Sequence, residues 1–261
     1  MTSPLLLSTV RAGDTGSTVL VLHGGGGPGT VAPLVAHLAE RHRVIAPTIP
    51  GWNGTPRSER IATIDDVAAA FLDLLREEDL EQVAVVGSSI GGWIASAMAV
   101  RDAGDGRIER VVLIDAVGAL VPGEPIRDVT GLDPAALAAF SWHDPERFLA
   151  TLSAMPAEAR AGAQRNQVAL QALAGEPYMH DPRLLDRLAA VRVPVLGVWG
   201  ASDRVVTPAY GRAMLAAFPD SRFEVVPEAG HLPHLEQPVR TAAVLDPFLD
   251  RPASPALSSR A

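Results

Sequence analysis

The sequence predicts an α/β fold built on a mostly parallel sheet, and three observations carry that prediction. Six short runs are rich in Val, Leu and Ile with little polar alternation, as strands buried on both faces are. Helical patterns fill the stretches between them. Most runs stop at glycine, proline or a polar residue, which marks where strand gives way to loop.

The runs are Thr18 to Leu22, Arg43 to Ala46, Gln82 to Val86, Arg110 to Ile114, Val193 to Trp199 and Arg222 to Val226. Helices are predicted over Thr30 to Arg41, Ile64 to Glu78, Ile90 to Arg101, Pro208 to Phe218 and Glu236 to Leu249. One connection is too long for a simple crossover, that from Ile114 to Val193. Its excess reads as helices at Pro134 to Phe140, Pro145 to Ala154, Ala157 to Ala174 and Pro182 to Ala190, punctuated by prolines. Residues 1–118 and 191–250 are therefore read as core and 119–190 as an inserted helical segment above the strand ends. The Pro/Ser/Ala-rich stretch 251–261 is read as a disordered tail.

Composition narrows the function classes. At 261 residues and 48% hydrophobic, the chain can bury one large core. Its net charge of −8 disfavours nucleic acid and anionic membrane as partners. It has no cysteine, so disulfides, thiolate nucleophiles and Cys-ligated metal are excluded. Every one of its 22 basic residues is arginine. Schiff-base and pyridoxal phosphate enzymes, Walker-A NTPases and protein kinases all need a lysine amine and are excluded with it. The first ten residues lack the basic start of a signal peptide, and no stretch is apolar for long enough to span a membrane. A cytoplasmic protein is expected.

Four segments carry chemistry. Gly87-Ser88-Ser89-Ile90-Gly91 fits Gly-x-Ser-x-Gly between a strand and a helix, with Ser89 at the centre of a sharp turn. An ordinary Gly-rich βα turn would look similar. His23-Gly24-Gly25-Gly26-Gly27-Pro28-Gly29 follows the first of the six runs, and such a loop lets backbone N–H groups approach an anionic centre. It also satisfies G-x-G-x-x-G, but the next strand ends in Ala46-Pro47-Thr48 without the acid a dinucleotide ribose requires. Asp203 lies just past the fifth run and His231, preceded by Gly230, just past the last. An Asx turn and a packing histidine are the plain alternatives for these two.

The order Ser, Asp, His, each beyond a strand's C-terminal end, is that of the α/β-hydrolases. The chain resembles this superfamily over roughly residues 16 to 250. The resemblance rests on His23-Gly24-Gly25, Pro50-Gly51, the Gly87 to Gly92 elbow, Trp199-Gly200 through Asp203, and Gly230-His231 followed by Leu235-Glu236-Gln237-Pro238. It implies an α/β-hydrolase fold with an inserted helical cap, Ser89 as nucleophile, His231 as base and Asp203 as the acid that orients it. It also implies an oxyanion hole from the backbone N–H groups of Gly25 and Ile90.

Asp115 ends a strand too and is the rival acid. Ser88 is the rival nucleophile but lacks the symmetric glycines. His231 and His234 form a His-x-x-His pair, but Pro233 intervenes and no third ligand is evident, so no metal is expected, nor any cofactor. The loop Thr48 to Thr55 departs from the family pattern by lacking an acid and carrying Trp52. Candidate substrate-pocket residues are Trp52, Trp93, Trp142, Tyr178 and His234, with Phe140 and His180 beside them; packing is the alternative for each.

A serine nucleophile argues against the Asp-dependent epoxide hydrolases and dehalogenases, and the lack of lysine against plant-type hydroxynitrile lyases. Ser88 and Leu232 replace the Asn and Trp that carbon–carbon bond hydrolases often carry there. The leading expectation is a serine hydrolase acting on an ester or similar small acyl compound. The alternatives are a carbon–carbon hydrolase or lyase-type enzyme on the same triad, and a non-catalytic small-molecule receptor. A small molecule is the expected partner, and a homo-oligomer is allowed.

Overall fold

The computed structural model describes residues 7–251. The stretch read as a disordered tail lies, from residue 252 on, outside the described residues. Nine strands form: β1 Thr9–Ala12, β2 Thr18–Leu22, β3 Arg43–Pro47, β4 Val83–Ser88, β5 Ile108–Ile114, β6 Gly118–Ala119, β7 His180–Asp181, β8 Val195–Gly200 and β9 Ser221–Val226. The helices are α1 Ala32–Leu38, α2 Ile64–Glu77, α3 Ile90–Asp102, α4 Pro134–Ser141, α5 Pro145–Ala154, α6 Ala157–Ala174, α7 Leu184–Arg187, α8 Pro208–Leu215, α9 Pro233–Glu236 and α10 Pro238–Leu249.

Seven strands make one sheet in the order β1-β3-β2-β4-β5-β8-β9. All pairs in it are parallel except β1 with β3. The continuous apolar runs have the expected cause, because β2, β4 and β8 are buried at every residue. Successive side chains point to opposite faces. Leu20 and Leu22 pack with Phe71 and Leu75 of α2, Ile94 and Met98 of α3, and Met214 of α8. Val19 and Val21 pack on the other face with Leu34 and Leu38 of α1 and with Leu245 and Phe248 of α10. The fold is therefore the α/β-hydrolase arrangement that the resemblance implied, a mostly parallel sheet between two helical layers. Among the described residues, no helix is long and apolar enough to cross a membrane.

Local chemistry sets the element ends. Thr63 caps α2 by accepting from the Asp66 N–H, while the Asp66 carboxylate accepts from the Thr63 N–H. Such a cap contributes about 1 kcal/mol. Pro238 starts α10 and cuts the helix expected from Glu236 into two, α9 and α10. The segment expected as one helix from Thr30 begins with a 3-10 turn, Pro28–Val31, and α1 follows. The edge strand β1 was not predicted. It has four residues with its middle two exposed, so it lacks the buried run that marks the others.

Between β5 and β8 the chain builds α4, α5, α6 and α7. Its two ends meet in a small parallel ladder, Gly118 with His180 and Ala119 with Asp181. The Tyr210 hydroxyl of α8 pins that ladder, accepting from the Ala119 N–H and donating to its carbonyl, each at 3.0 Å. The helices beyond are lightly packed: α5 buries no residue, and α6 buries only Asn166, Leu173 and Ala174.

Candidate active site

Ser89 stands at the turn from β4 into α3 with φ 55° and ψ −118°. A non-glycine residue in that region is strained. Packing imposes the strain. A Cβ on Gly87 would lie 2.3 Å from the Gly91 carbonyl oxygen, and one on Gly91 would lie 2.3 Å from that of Leu22. Only glycine at both positions lets strand and helix close on each other, with Ser89 at the apex. The Ser89 N–H is fixed by the Ile114 carbonyl at 2.9 Å.

The loops after β8 and β9 deliver the partners. His231 Nε2 lies 3.0 Å from Ser89 Oγ, and His231 Nδ1 lies 2.8 Å from Asp203 Oδ2. Asp203 can only accept, so Nδ1 carries the proton and Nε2 is free to accept from the serine hydroxyl. The Val205 and Val206 N–H groups donate to Asp203 Oδ1 at 2.8 and 3.2 Å. Ser89, Asp203 and His231 are all buried. Two bonds hold the His231 loop. The His231 N–H donates to the Ser141 carbonyl at 2.7 Å, and the Gly230 N–H donates to Glu236. Glu236 also accepts from the His143 N–H at 2.9 Å, which ties α9 to the start of the α4–α5 loop.

The Gly-rich loop lies against the nucleophile: a Cβ on Gly24 would sit 3.4 Å from that of Ser89. His23 braces the loop from below. Its Nε2 accepts from the Ile49 N–H at 3.0 Å, so its Nδ1 donates to the Gly24 carbonyl at 2.7 Å. Burial pushes His23 down to about 4, so it is neutral at pH 7. Trp52 donates its indole N–H to the Gly25 carbonyl at 2.8 Å. Among the described residues, neither the Gly25 nor the Ile90 N–H donates to another protein group.

The pocket candidates separate. Trp52 has no exposed surface and braces the Gly-rich loop through its bond to the Gly25 carbonyl. His234 is also held by a backbone carbonyl. It is buried, donates Nε2–H to the Thr30 carbonyl at 3.1 Å, and is pushed down to about 4 by burial. Trp93 packs against Gly118 at the foot of the inserted segment. Trp142 directly follows Ser141 and stacks on Phe148 at 4.7 Å. The Tyr178 hydroxyl accepts from the Val129 N–H at 3.1 Å. Trp142 and Tyr178 keep partial exposure. Phe140 lies under the Arg127 guanidinium, and His180 bonds the Tyr178 carbonyl.

One residue went unnoticed in the sequence. Asn166 of α6 donates to the Gly26 carbonyl and the Asn53 amide oxygen, each at 3.0 Å, and accepts from the Asn53 N–H at 2.8 Å. A polar residue inside a helix gives no signal of that kind. Glu236 was visible only as part of the Leu235-Glu236-Gln237-Pro238 match. Asp115, Asp203 and His231 bring one ligating atom each within 4.8 Å of one another. Of these groups, Asp203 and His231 Nδ1 are engaged with each other, and Asp203 also accepts from two backbone N–H groups.

The comparisons agree with this architecture. A 2-hydroxy-6-oxononadienedioate/2-hydroxy-6-oxononatrienedioate hydrolase of Pseudomonas putida is 30% identical over 243 residues, covering 84% of this chain and 82% of that one. A pimeloyl-[acyl-carrier protein] methyl ester esterase of Aromatoleum aromaticum is 29% identical over 254 residues, covering 87% and 96%. The structure of a thermophilic esterase from Thermogutta terrifontis superposes with a TM-score of 0.72 at 25% identity, covering 93% of this chain and 92% of that one. The model of the alpha/beta hydrolase family matches residues 19–244, nearly the whole sheet and the elbow that carries Ser89, and the chain belongs to that family.

Proposed function

We propose that this protein is a serine hydrolase that cleaves an ester or similar small acyl compound through an acyl-enzyme. The observation that carries the reading is the unbroken relay of Ser89 Oγ to His231 Nε2 at 3.0 Å and of His231 Nδ1 to Asp203 at 2.8 Å. Ser89 Oγ attacks the acyl carbon as its proton passes to His231 Nε2. The imidazolium then gives that proton to the leaving oxygen as the carbon–oxygen bond breaks. In the second half a water adds to the acyl carbon, its proton goes to His231, and Ser89 regains a proton as the acid leaves. Asp203 keeps the imidazole in the correct tautomer and stabilises its charged form. The unengaged N–H groups of Gly25 and Ile90 are the oxyanion donors in this reading, and each such donor accounts for about 10²–10³ in rate. Residues 119–190 serve as a helical cap, with Trp142 and Tyr178 of the cap and Trp93 of α3 as pocket-facing aromatics.

The second reading is carbon–carbon bond hydrolysis on the same residues. The Pseudomonas putida relative favours it. One experiment separates the readings. The protein and Ser89→Ala are incubated with short-chain p-nitrophenyl esters and, separately, with a 2-hydroxy-6-oxo dienoate, and intact mass is recorded during turnover. Ester turnover beyond one equivalent, with an acyl adduct absent from Ser89→Ala, supports the esterase. Turnover of the dienoate alone selects the second reading. Binding without turnover of either points to a receptor.

A further inference from the structure

Asp115 follows the last residue of β5 with φ 43°, and no part of it is exposed. Its N–H donates to the Val198 carbonyl, and its Oδ1 accepts from the Gly200 N–H, both at 3.0 Å. Its Oδ2 meets no N–H or hydroxyl donor. A carboxylate oxygen of Asp115 lies within 4.8 Å of one of Asp203. Asp203 is differently placed, with two backbone N–H groups and His231 Nδ1–H all donating to it. Two carboxyl groups sealed from water this close together do not both ionise, so the pair holds one proton. Three donors stabilise the charge on Asp203 and one stabilises it on Asp115, so Asp115 holds that proton.

We propose that Asp115 is a positioning residue, a neutral carboxylic acid that donates its O–H to Asp203 and limits the charge Asp203 presents to His231. The titratable groups that face it are Asp203, His231 and Glu236. Burial pushes the Asp115 carboxyl well above the usual carboxylate range; Asp203 adds to this as a charge and as a hydrogen-bond partner, and the more distant Glu236 adds less. The Gly200 N–H opposes the shift. The effect on His231 rests on the hydrolase reading; the proton on Asp115 does not.

The test uses Asp115→Asn and Asp115→Ala in the full chain. Asparagine keeps both bonds without a charge, since its carbonyl accepts from Gly200 and its amide donates to Asp203. Alanine removes both. The first readout is urea unfolding against pH. A raised carboxyl pKa in the folded state stabilises the fold below the ordinary Asp value, and that contribution is lost as pH rises toward the folded pKa. Asparagine has no such term, so the midpoint of Asp115→Asn gains on the natural chain as pH rises from about 4 to about 7. An Asp115→Asn midpoint that holds a constant offset from the natural chain, or loses ground to it, as pH rises over this range overturns the proposal.

The second readout is the rate of fluorophosphonate labelling against pH. The acid limb of Asp115→Asn coincides with that of the natural chain, and that of Asp115→Ala moves up by about half a pH unit as His231 becomes more basic. A downward move in Asp115→Asn would reveal a carboxylate at 115 and overturn the proposal. No move in Asp115→Ala removes the donor role. Failure of the natural chain to label rejects the hydrolase reading instead, and the unfolding comparison still decides where the proton is.

Discussion

Asn166 on α6 donates to the Gly26 carbonyl at 3.0 Å, so the inserted segment is bonded directly to the loop that carries Gly25. The same side chain makes two further bonds to Asn53. One amide thus joins the segment above the sheet to the loops after β2 and β3. Leu170, one turn along the same helix, reaches the space beside Gly25.

Truncating that amide should cost both stability and rate. Asn166→Ala leaves the Asn53 N–H and the Gly26 carbonyl without partners and costs about 1–3 kcal/mol. Urea unfolding measures the loss. On the catalytic side, the proposed oxyanion role of Gly25 predicts that kcat for a p-nitrophenyl ester falls more than KM rises, because the bond orders the loop that carries it.

Ser89→Ala should retain the fold and lose at least about a thousandfold in kcat/KM, the scale of single-residue removals from such triads. Removing the hydroxyl also relieves none of the strain at φ 55°, because the backbone is set by Gly87 and Gly91. Circular dichroism and ester turnover, measured on the same sample, check both parts.

The two acids should rank unequally. Asp203→Asn presents an amide to His231 Nδ1 and favours the wrong tautomer, which costs about 10⁴ in kcat in comparable triads. Asp115→Asn costs far less, since Asp115 does not touch His231 by a hydrogen bond. Steady-state kinetics of the two variants decide between them, and the reverse ranking would make Asp115 the acid.

Acid should loosen the fold through its buried imidazoles. His23 and His234 are each pushed down to about 4 by burial, so the unfolded chain binds more protons between about pH 6.5 and 4. Stability is therefore lost as pH falls through that window, by up to about 3 kcal/mol for each histidine. Replacing His23 by Gln should flatten the slope of the unfolding midpoint against pH in that range.

The sheet and the elbow were legible because each has a local cause. A strand buried on both faces is apolar through its middle, as β2 is from Val19 to Leu22 and β4 from Val83 to Val86, and an apex serine must have glycines two residues to either side. The Ser, Asp and His positions were legible through chain order and strand ends. What stayed hidden depends on contacts between distant segments. The bonds of Trp52 to the Gly25 carbonyl and of His234 to the Thr30 carbonyl join segments far apart in the chain, and no local pattern announces them. Asp115 ends a strand as a rival acid would, and only the folded chain reveals that its carboxylate lies within 4.8 Å of that of Asp203. No residue pattern encodes which of two such groups keeps the proton; the donors around each decide it.

The most direct test of the central claim is covalent. The purified protein is treated with a small and a large fluorophosphonate, digested, and the modified peptide is located by mass spectrometry. The account predicts an adduct on Ser89 that is absent from Ser89→Ala and slowed in Asp203→Asn. Folded protein that gains no adduct from either probe, or gains it on another residue, would contradict the assignment of Ser89 as an activated nucleophile.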